Sequence, residues 1–256
     1  MNIYVLMKRT FDTEEKIQIT DGEILVDGAE FIINPYDEYA VEEAIKLREE
    51  HGGEVTVVTV GDEEAEKQLR TALAMGADKA VLIEDEEIEN GDHYSTQAIL
   101  GAYFNDKEVD IILGGNVAVD GGSGQVGPRL AEQLGINHVT SIVKLEVTDG
   151  KAVIEKDVEG DIEKIKVALP LLITAQQGLN EPRYPSLPGI MKAKKKPLDV
   201  LDIDDLDLDE EEVEGKIKTV DTYLPPEKQA GKVLDGELDE QVEQLVSLLK
   251  TESKVI

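Results

Sequence analysis

A rhythm of short apolar runs alternating with stretches of helical period governs this sequence from residue 2 to about residue 135. Asn2–Met7 is apolar and reads as a buried first strand. KRTFDTEEKIQITDGEILVDG then predicts two short strands about an Asp21-Gly22 turn. The stretch from Asn34 places Ala40, Ala44 and Leu47 on one helical face and stops at Gly52-Gly53. EVTVVTVG is too uniformly apolar to have a wet face, so it predicts a strand buried on both sides. DEEAEKQLRTALAMGA predicts a helix capped by Asp62, with acids at its positive end. KAVLIE, HYSTQAILGAYFND, VDIILGGN and GQVGPRLAEQLG continue the pattern as strand, helix, strand and helix. Regular alternation of this kind buries a parallel sheet between two layers of helices.

The rhythm changes after residue 138. Two alternating strands flank an Asp149-Gly150 turn, and a third strand and a buried apolar one follow, which predicts antiparallel strands extending the same sheet. The fold class expected is therefore α/β: a doubly wound, mostly parallel sheet, extended by antiparallel strands and followed by an extended C-terminal tail. The expected division is a domain of residues 1–197 and an acidic arm of 198–256. That arm ends in LDEQVEQLVSLLK, whose Leu238, Val242, Leu245 and Leu249 recur at helical spacing. Such a stripe needs a surface to lie on, and a partner subunit can supply it.

Charge and composition narrow the function. With 26 basic residues against 56 acidic ones, the net charge is −30, which opposes binding to nucleic acid or an anionic membrane. There is no cysteine, so disulfides and thiolate metal sites are excluded. Apolar runs are too short for a membrane span, the N-terminus does not read as a signal peptide, and a cytoplasmic location is expected. His51 ends a helix, His93 begins one and His138 starts a strand, so no metal site and no catalytic base is expected of them. Ser123 has no histidine placed beside it by the sequence. The chain reads as a carrier or binding subunit without an acid–base site of its own.

Doubly wound sheets bind ligands beyond the carboxyl ends of their strands, where the strand order reverses. Leu6–Arg9, Asn34-Pro35 and the glycine-rich GGNVAVDGGSGQVGP all fall at such ends. The last leads into a helix and offers backbone amides to a phosphate. It is neither a Walker loop nor a Gly-x-Gly-x-x-Gly turn.

One stretch stands apart. LNEPRYPSLPGIMKAKKK (179–196) sets Lys192, Lys194, Lys195 and Lys196 into an acidic chain, behind Pro182, Pro185 and Pro188, which oppose a helix or an inner strand. It resembles the signature of the β subunit of electron-transfer flavoprotein. VLMKRTFD, NPYDEYAVEEAIKLRE, RTALAMGAD and DGGSGQVGP fall in that family's order, so the resemblance covers essentially the whole chain. It implies a nucleotide-binding-like α/β domain within a heterodimer whose α subunit holds a redox-active FAD. The β subunit would bind AMP and dock dehydrogenases, carrying electrons from acyl-CoA and similar dehydrogenases to a quinone reductase.

By position, the resemblance implies an AMP site of Leu6, Asn34, Pro35, Tyr36, Asp37, Val60, Gly115, Asn116, Val117, Ala118, Val119, Asp120, Gly121, Gly122, Ser123, Gly124, Gln125, Val126 and Gly127. Backbone groups at Leu6 and Val60 would read adenine and the 124–127 turn would hold phosphate. It implies docking by Asn180, Glu181, Pro182, Arg183, Tyr184, Leu187, Pro188, Ile190, Met191, Lys192 and Lys195, with Leu187 as the anchor entering an apolar pocket. Two positions depart from the family. Val126 stands where many members have a threonine, and Thr13 replaces an aromatic residue that lies near the flavin in some. DGGSGQVGP also resembles the form in electron-bifurcating members, where a second FAD replaces AMP and NADH is oxidised.

Overall fold

The structure is a computed structural model that describes residues 1–84, 91–226, 228 and 230–255. Its strands are β1 (Asn2–Leu6), β2 (Arg9–Phe11), β3 (Ile19–Thr20), β4 (Glu23–Ile24), β5 (Phe31–Ile33), β6 (Glu54–Val60), β7 (Lys79–Ile83), β8 (Ile111–Gly115), β9 (Asn137–Thr148), β10 (Lys151–Val158), β11 (Asp161–Ala168), β12 (Leu171–Ala175) and β13 (Leu198–Leu201). Its helices are α1 (Pro35–His51), α2 (Glu66–Met75), α3 (His93–Phe104), α4 (Val126–Leu134), α5 (Leu187–Ala193), α6 (Glu210–Val213) and α7 (Leu238–Leu248).

The main sheet has the order β11-β10-β9-β12-β8-β1-β6-β7-β13. From β9 through to β13 every neighbouring pair is parallel, and among the late strands only the pairings β9–β10 and β10–β11 are antiparallel. The expected antiparallel extension is thus confined to the far edge. β12 sits between β8 and β9 because all five of its residues are buried, which only an inner strand allows. Successive residues of a strand serve opposite faces. Ile111, Leu113, Leu171 and Ile173 pack with Ile45, Leu69 and Leu73 of α1 and α2. Ile112 and Leu172 pack with Ile99, Phe104 and Leu130 of α3 and α4. The strand order reverses at β1, which has β6 on one side and β8 on the other.

Local expectations were met in part. Asp21 and Gly22, and again Asp149 and Gly150, take positive φ and turn the chain. Asp62 makes no cap hydrogen bond; it binds Arg9 Nη1 at 2.8 Å, and a short 3₁₀ turn, Glu63–Ala65, precedes α2. Arg9 also lies over the Phe31 ring, beside the small antiparallel pair β2–β5 that the sequence did not reveal. Asp92 instead is a full N-cap, accepting from the amides of Tyr94 and Ser95.

The chain divides into two compact units, Met1–Gln18 with Ile24–Val220, and Ile19–Glu23 with Asp221–Ile256. The first unit therefore runs past the expected boundary at residue 197. β13 pairs in parallel with β7, and Ile203 and Val213 are buried in the α3–α4 core. Within the second unit, α7 leaves Leu238, Val242 and Leu245 exposed.

A helix, α5, does begin inside the proline-rich stretch. Ser186 caps it, accepting from the Gly189 amide at 3.1 Å, and Pro188 falls in the first turn, where no amide is needed. α5 lies on α2 so closely that a Cβ at Gly189 would come 2.4 Å from the Ala74 carbonyl oxygen. The two helices exchange cations. Lys196 Nζ donates to the carbonyls of Leu73 (2.9 Å) and Ala77 (2.5 Å) at the end of α2. Arg70 Nη1 donates to those of Ala193 and Lys196, both at 3.0 Å, at the end of α5. A cation at a helix C-terminus satisfies carbonyls that have no partner within the helix. Lys196→Met should lower the unfolding free energy by roughly 1–3 kcal/mol, the cost of stranding such groups. Lys194→Met, at an exposed position, should change it by less than about 0.5 kcal/mol in the same urea titration.

Candidate functional site

Where β1 and β8 part company, their carboxyl ends diverge and leave amides without a ladder partner. Asp37, in the first turn of α1, fills the gap. Its Oδ2 accepts from the Lys8 amide at 2.7 Å, and its Oδ1 accepts from the Gly115 amide at 2.8 Å and from Asn34 Nδ2 at 3.0 Å. Burial pushes the Asp37 carboxyl up, to about 7, while these donors pull it the other way. Asn34 extends the tie: Nδ2 also donates to the Val117 carbonyl at 2.9 Å, and Oδ1 accepts from the Val119 amide at 3.1 Å. Pro35 begins α1 at a position suited to its missing amide, and the Asn34 side chain makes no cap bond but serves the loop instead.

The glycine-rich loop is shaped by several contacts. Asn116 donates its amide to the Ala175 carbonyl at 2.9 Å, and its Oδ1 accepts from the hydroxyls of Ser141 (2.9 Å) and Thr174 (3.2 Å). Gly122 (φ 64) donates to the Ala118 carbonyl at 2.8 Å, and Gly124 (φ 60) needs the same left-handed backbone. Asp120 bridges back across the edge to Lys8 Nζ at 2.8 Å and accepts from the Gly121 amide. Among the described residues, no hydrogen bond within the chain uses the amides of Ser123, Gly124, Gln125, Val126 or Gly127. They precede and open α4, where the helix dipole favours an anion.

The residues expected at a nucleotide site thus gather along one sheet edge. Leu6 and Val60 end the neighbouring strands β1 and β6, joined by the Thr59 hydroxyl, which donates to the Met7 carbonyl at 2.7 Å. Tyr36 backs onto Gly115. Two of these residues also have packing roles. Val126 packs against the α3–α4 core, so a valine suits its place. The open side of Gly127 faces Thr174 and Leu172, so its missing side chain lets α4 approach β12. Sequence reasoning missed Lys8, Ser141 and Thr174. Only Lys8 gave a signal, as part of the loop after β1. Ser141 holds φ 58 inside a strand, which nothing in its sequence announces.

The stretch 179–196 stands on α1 and α2. Asn180 Nδ2 donates to the Tyr39 carbonyl at 3.0 Å and to Glu43 Oε2 at 2.9 Å. The Arg183 guanidinium pairs with both Glu42 and Glu49. Beyond these footings Tyr184, Leu187 and Met191 are 94%, 78% and 71% exposed. Glu181, Pro188, Ile190, Lys192 and Lys195 are exposed as well, and Pro182 is half-buried.

Comparison with known proteins agrees with this architecture. Residues 22–206 match the family described as Electron transfer flavoprotein domain. A Bacillus subtilis (strain 168) protein named Electron transfer flavoprotein subunit beta is 66% identical over 257 residues, 100% of each chain. One of the same name from Thermoanaerobacterium thermosaccharolyticum is 42% identical over 98% of each chain. An Acetobacterium woodii protein named Caffeyl-CoA reductase-Etf complex subunit CarD is 36% identical over 98% of each.

The tie at Asp37 leaves no room at Gly115. A Cβ there would lie 2.3 Å from Asp37 Oδ1 and 2.9 Å from the Tyr36 carbonyl carbon, so α1 itself would have to move. Gly115→Ala should therefore cost roughly 1–3 kcal/mol of stability. Gly121→Ala, with nothing within 4 Å of the new carbon, should be nearly neutral. Equal melting midpoints for the two variants would show that the edge is not held tightly.

Proposed function

Because the chain belongs to the electron transfer flavoprotein family as a subunit beta, we propose that it is the supporting half of a heterodimeric carrier that takes electrons from acyl-CoA and similar dehydrogenases and passes them to a quinone reductase. In this reading an alpha subunit holds the FAD, which supplies the redox chemistry. The present chain supplies no acid–base step; it binds AMP at the β1–β8 crossover and docks the donor dehydrogenase. Among the described residues no helix is long and apolar enough to cross a membrane, consistent with a carrier that meets its partners by diffusion.

The observation that carries this reading is a bare apolar tip on a fixed base. Leu187 is 78% exposed, next to exposed Tyr184, Ile190 and Met191, while Asn180, Arg183, Ser186 and Lys196 are tied down on either side. Exposed apolar side chains on a pre-ordered element are what a docking anchor requires, since little ordering entropy is then lost on binding. Exposed Lys192, Lys194 and Lys195 add local positive charge to steer an acidic partner surface. The residues at the crossover fit a nucleotide. The free amides of Ser123 to Gly127 suit a phosphate, and the strand ends at Leu6 and Val60 offer backbone groups to a base.

Likeness to the caffeyl-CoA reductase-Etf subunit, together with the DGGSGQVGP loop, favours a second reading, in which the crossover holds a second FAD and the complex bifurcates electrons. Denaturing the purified heterodimer and measuring what it releases separates the two: one FAD and one AMP fit the simple carrier, two FAD the bifurcating complex. Release of neither nucleotide from this subunit would overturn both.

Docking by Leu187 has its own test. Leu187→Ala should leave the melting temperature nearly unchanged, because an exposed side chain gives the fold little to lose. It should cost about 2 kcal/mol of binding to the dehydrogenase, roughly a thirtyfold rise in apparent KM for the carrier. Normal coupled turnover at low carrier concentration would sink the docking assignment.

A further inference from the structure

Arg183 was expected among the residues that touch the dehydrogenase, but its surroundings point elsewhere. Its Nε and Nη2 donate to Glu42 Oε2 and Oε1 at 2.8 and 3.0 Å, and its Nη1 and Nη2 donate to Glu49 Oε1 and Oε2 at 2.7 and 3.2 Å. Its backbone amide adds a bond to Glu42 Oε2 at 3.1 Å. Two bidentate pairs occupy four of the five N–H donors of a guanidinium. A partner carboxylate would find no open fork. Glu42 and Glu49 stand seven residues apart on one face of α1, and the Glu42 side chain is only 7% exposed. A carboxylate so buried is costly without its cation.

We propose that Arg183 is the positioning residue of the docking element: it acts through α1, fixing the direction in which Leu187 and Met191 are presented, rather than by contacting the dehydrogenase. The inference rests on the reading of residues 179–196 as the docking element. Together with Asn180, three residues earlier, Arg183 gives the segment two footings on α1 just before the Ser186 cap. Removing one footing lets the tip swing and leaves its contact surface intact.

The conservative change is informative here, because lysine keeps the charge and loses the fork. The test uses the complete heterodimer with an acyl-CoA dehydrogenase reduced by its acyl-CoA, comparing Arg183→Lys, Glu49→Gln, the double variant and Leu187→Ala. Arg183→Lys should raise the apparent KM for the carrier about tenfold, a loss of the size seen at interface residues, with kcat at saturation unchanged. Glu49→Gln, an exposed carboxylate on the α1 side, should raise KM in the same direction, and the double variant should be no worse than Arg183→Lys alone. Full activity of Arg183→Lys would mean that charge alone matters, and would overturn the proposal. So would a silent Glu49→Gln beside a defective Arg183→Lys, which would make Arg183 a direct contact. If Arg183→Lys lowers the melting temperature, Glu49→Gln decides the matter, since its side chain is half exposed. A silent Leu187→Ala would show that the docking reading itself has failed, whatever the arginine does.

Discussion

One buried carboxylate sets the geometry on which this molecule depends. A parallel sheet whose order reverses must let two neighbouring strands exit in different directions, and their first free amides, partly shielded from water, need other partners. Backbone donors left in that state are expensive. Asp37 meets those of Lys8 and Gly115 together, from the positive end of α1, where an anion is favoured. Asn34 passes the same tie on to Val117 and Val119. The glycine-rich loop is therefore held by α1, and the helix is held by the sheet. Burial opposes the charge on Asp37, so the arrangement depends on every donor being in place.

The molecule's acidity sharpens what its few cations do. Against a net charge of −30, an arginine or lysine is readily drawn into internal pairs, and many here are. Arg9 binds Asp62 and Glu64, Arg48 binds Asp78, and Arg183 binds Glu42 and Glu49. Lys196 and Arg70 close the ends of each other's helices. The lysines left exposed beside Leu187 thus form a local inversion of sign. For the acidic partner proposed above, long-range attraction toward that spot would be opposed by the rest of the surface, and any steering would act at close range, within about a Debye length.

Much of the architecture was legible because burial writes a period into sequence. The doubly buried strands, the glycine stops and the Asp-Gly turns all followed from it. The gathering of Leu6, Asn34, Asp37 and the glycine-rich loop at the carboxyl ends of β1 and β8 followed too, from the alternation of strand and helix. Other features carried no such signal. Residues 198–213 join the sheet and the core through Leu201, Ile203 and Val213, yet they are set among so many acids that they read as part of an acidic arm outside the domain. The helix at Leu187 was hidden by its prolines, because a proline in a first turn looks in sequence like a proline that breaks one. The footing of residues 179–196 could not be read at all. It pairs Arg183 with residues 141 and 134 positions away, and a chain this rich in glutamate offers no way to choose between candidates. The resemblance located the segment; only the fold shows what it stands on.

α1 is where these threads meet. Its 17 residues span about 25 Å. At its first turn Asn34 and Asp37 fix the crossover edge; Glu42, Glu43 and Glu49, farther along, fix the stretch that carries Leu187. On the proposed carrier reading, the subunit would govern electron transfer through how closely and at what angle it lets donor and acceptor be brought together. For that proposed role, stiffness between the two proposed binding elements is the useful property. A single uninterrupted helix, packed on the sheet through Ala40, Ala44 and Leu47 and tied by side chains at both ends, supplies it. The glutamates that make α1 look like an ordinary solvated acidic helix are, at Glu42 and Glu43, among its buried residues. Their burial is compensated when Arg183, Asn180 and Lys46 are seated, so residues 179–196 and the helix stabilise one another as a single structural unit.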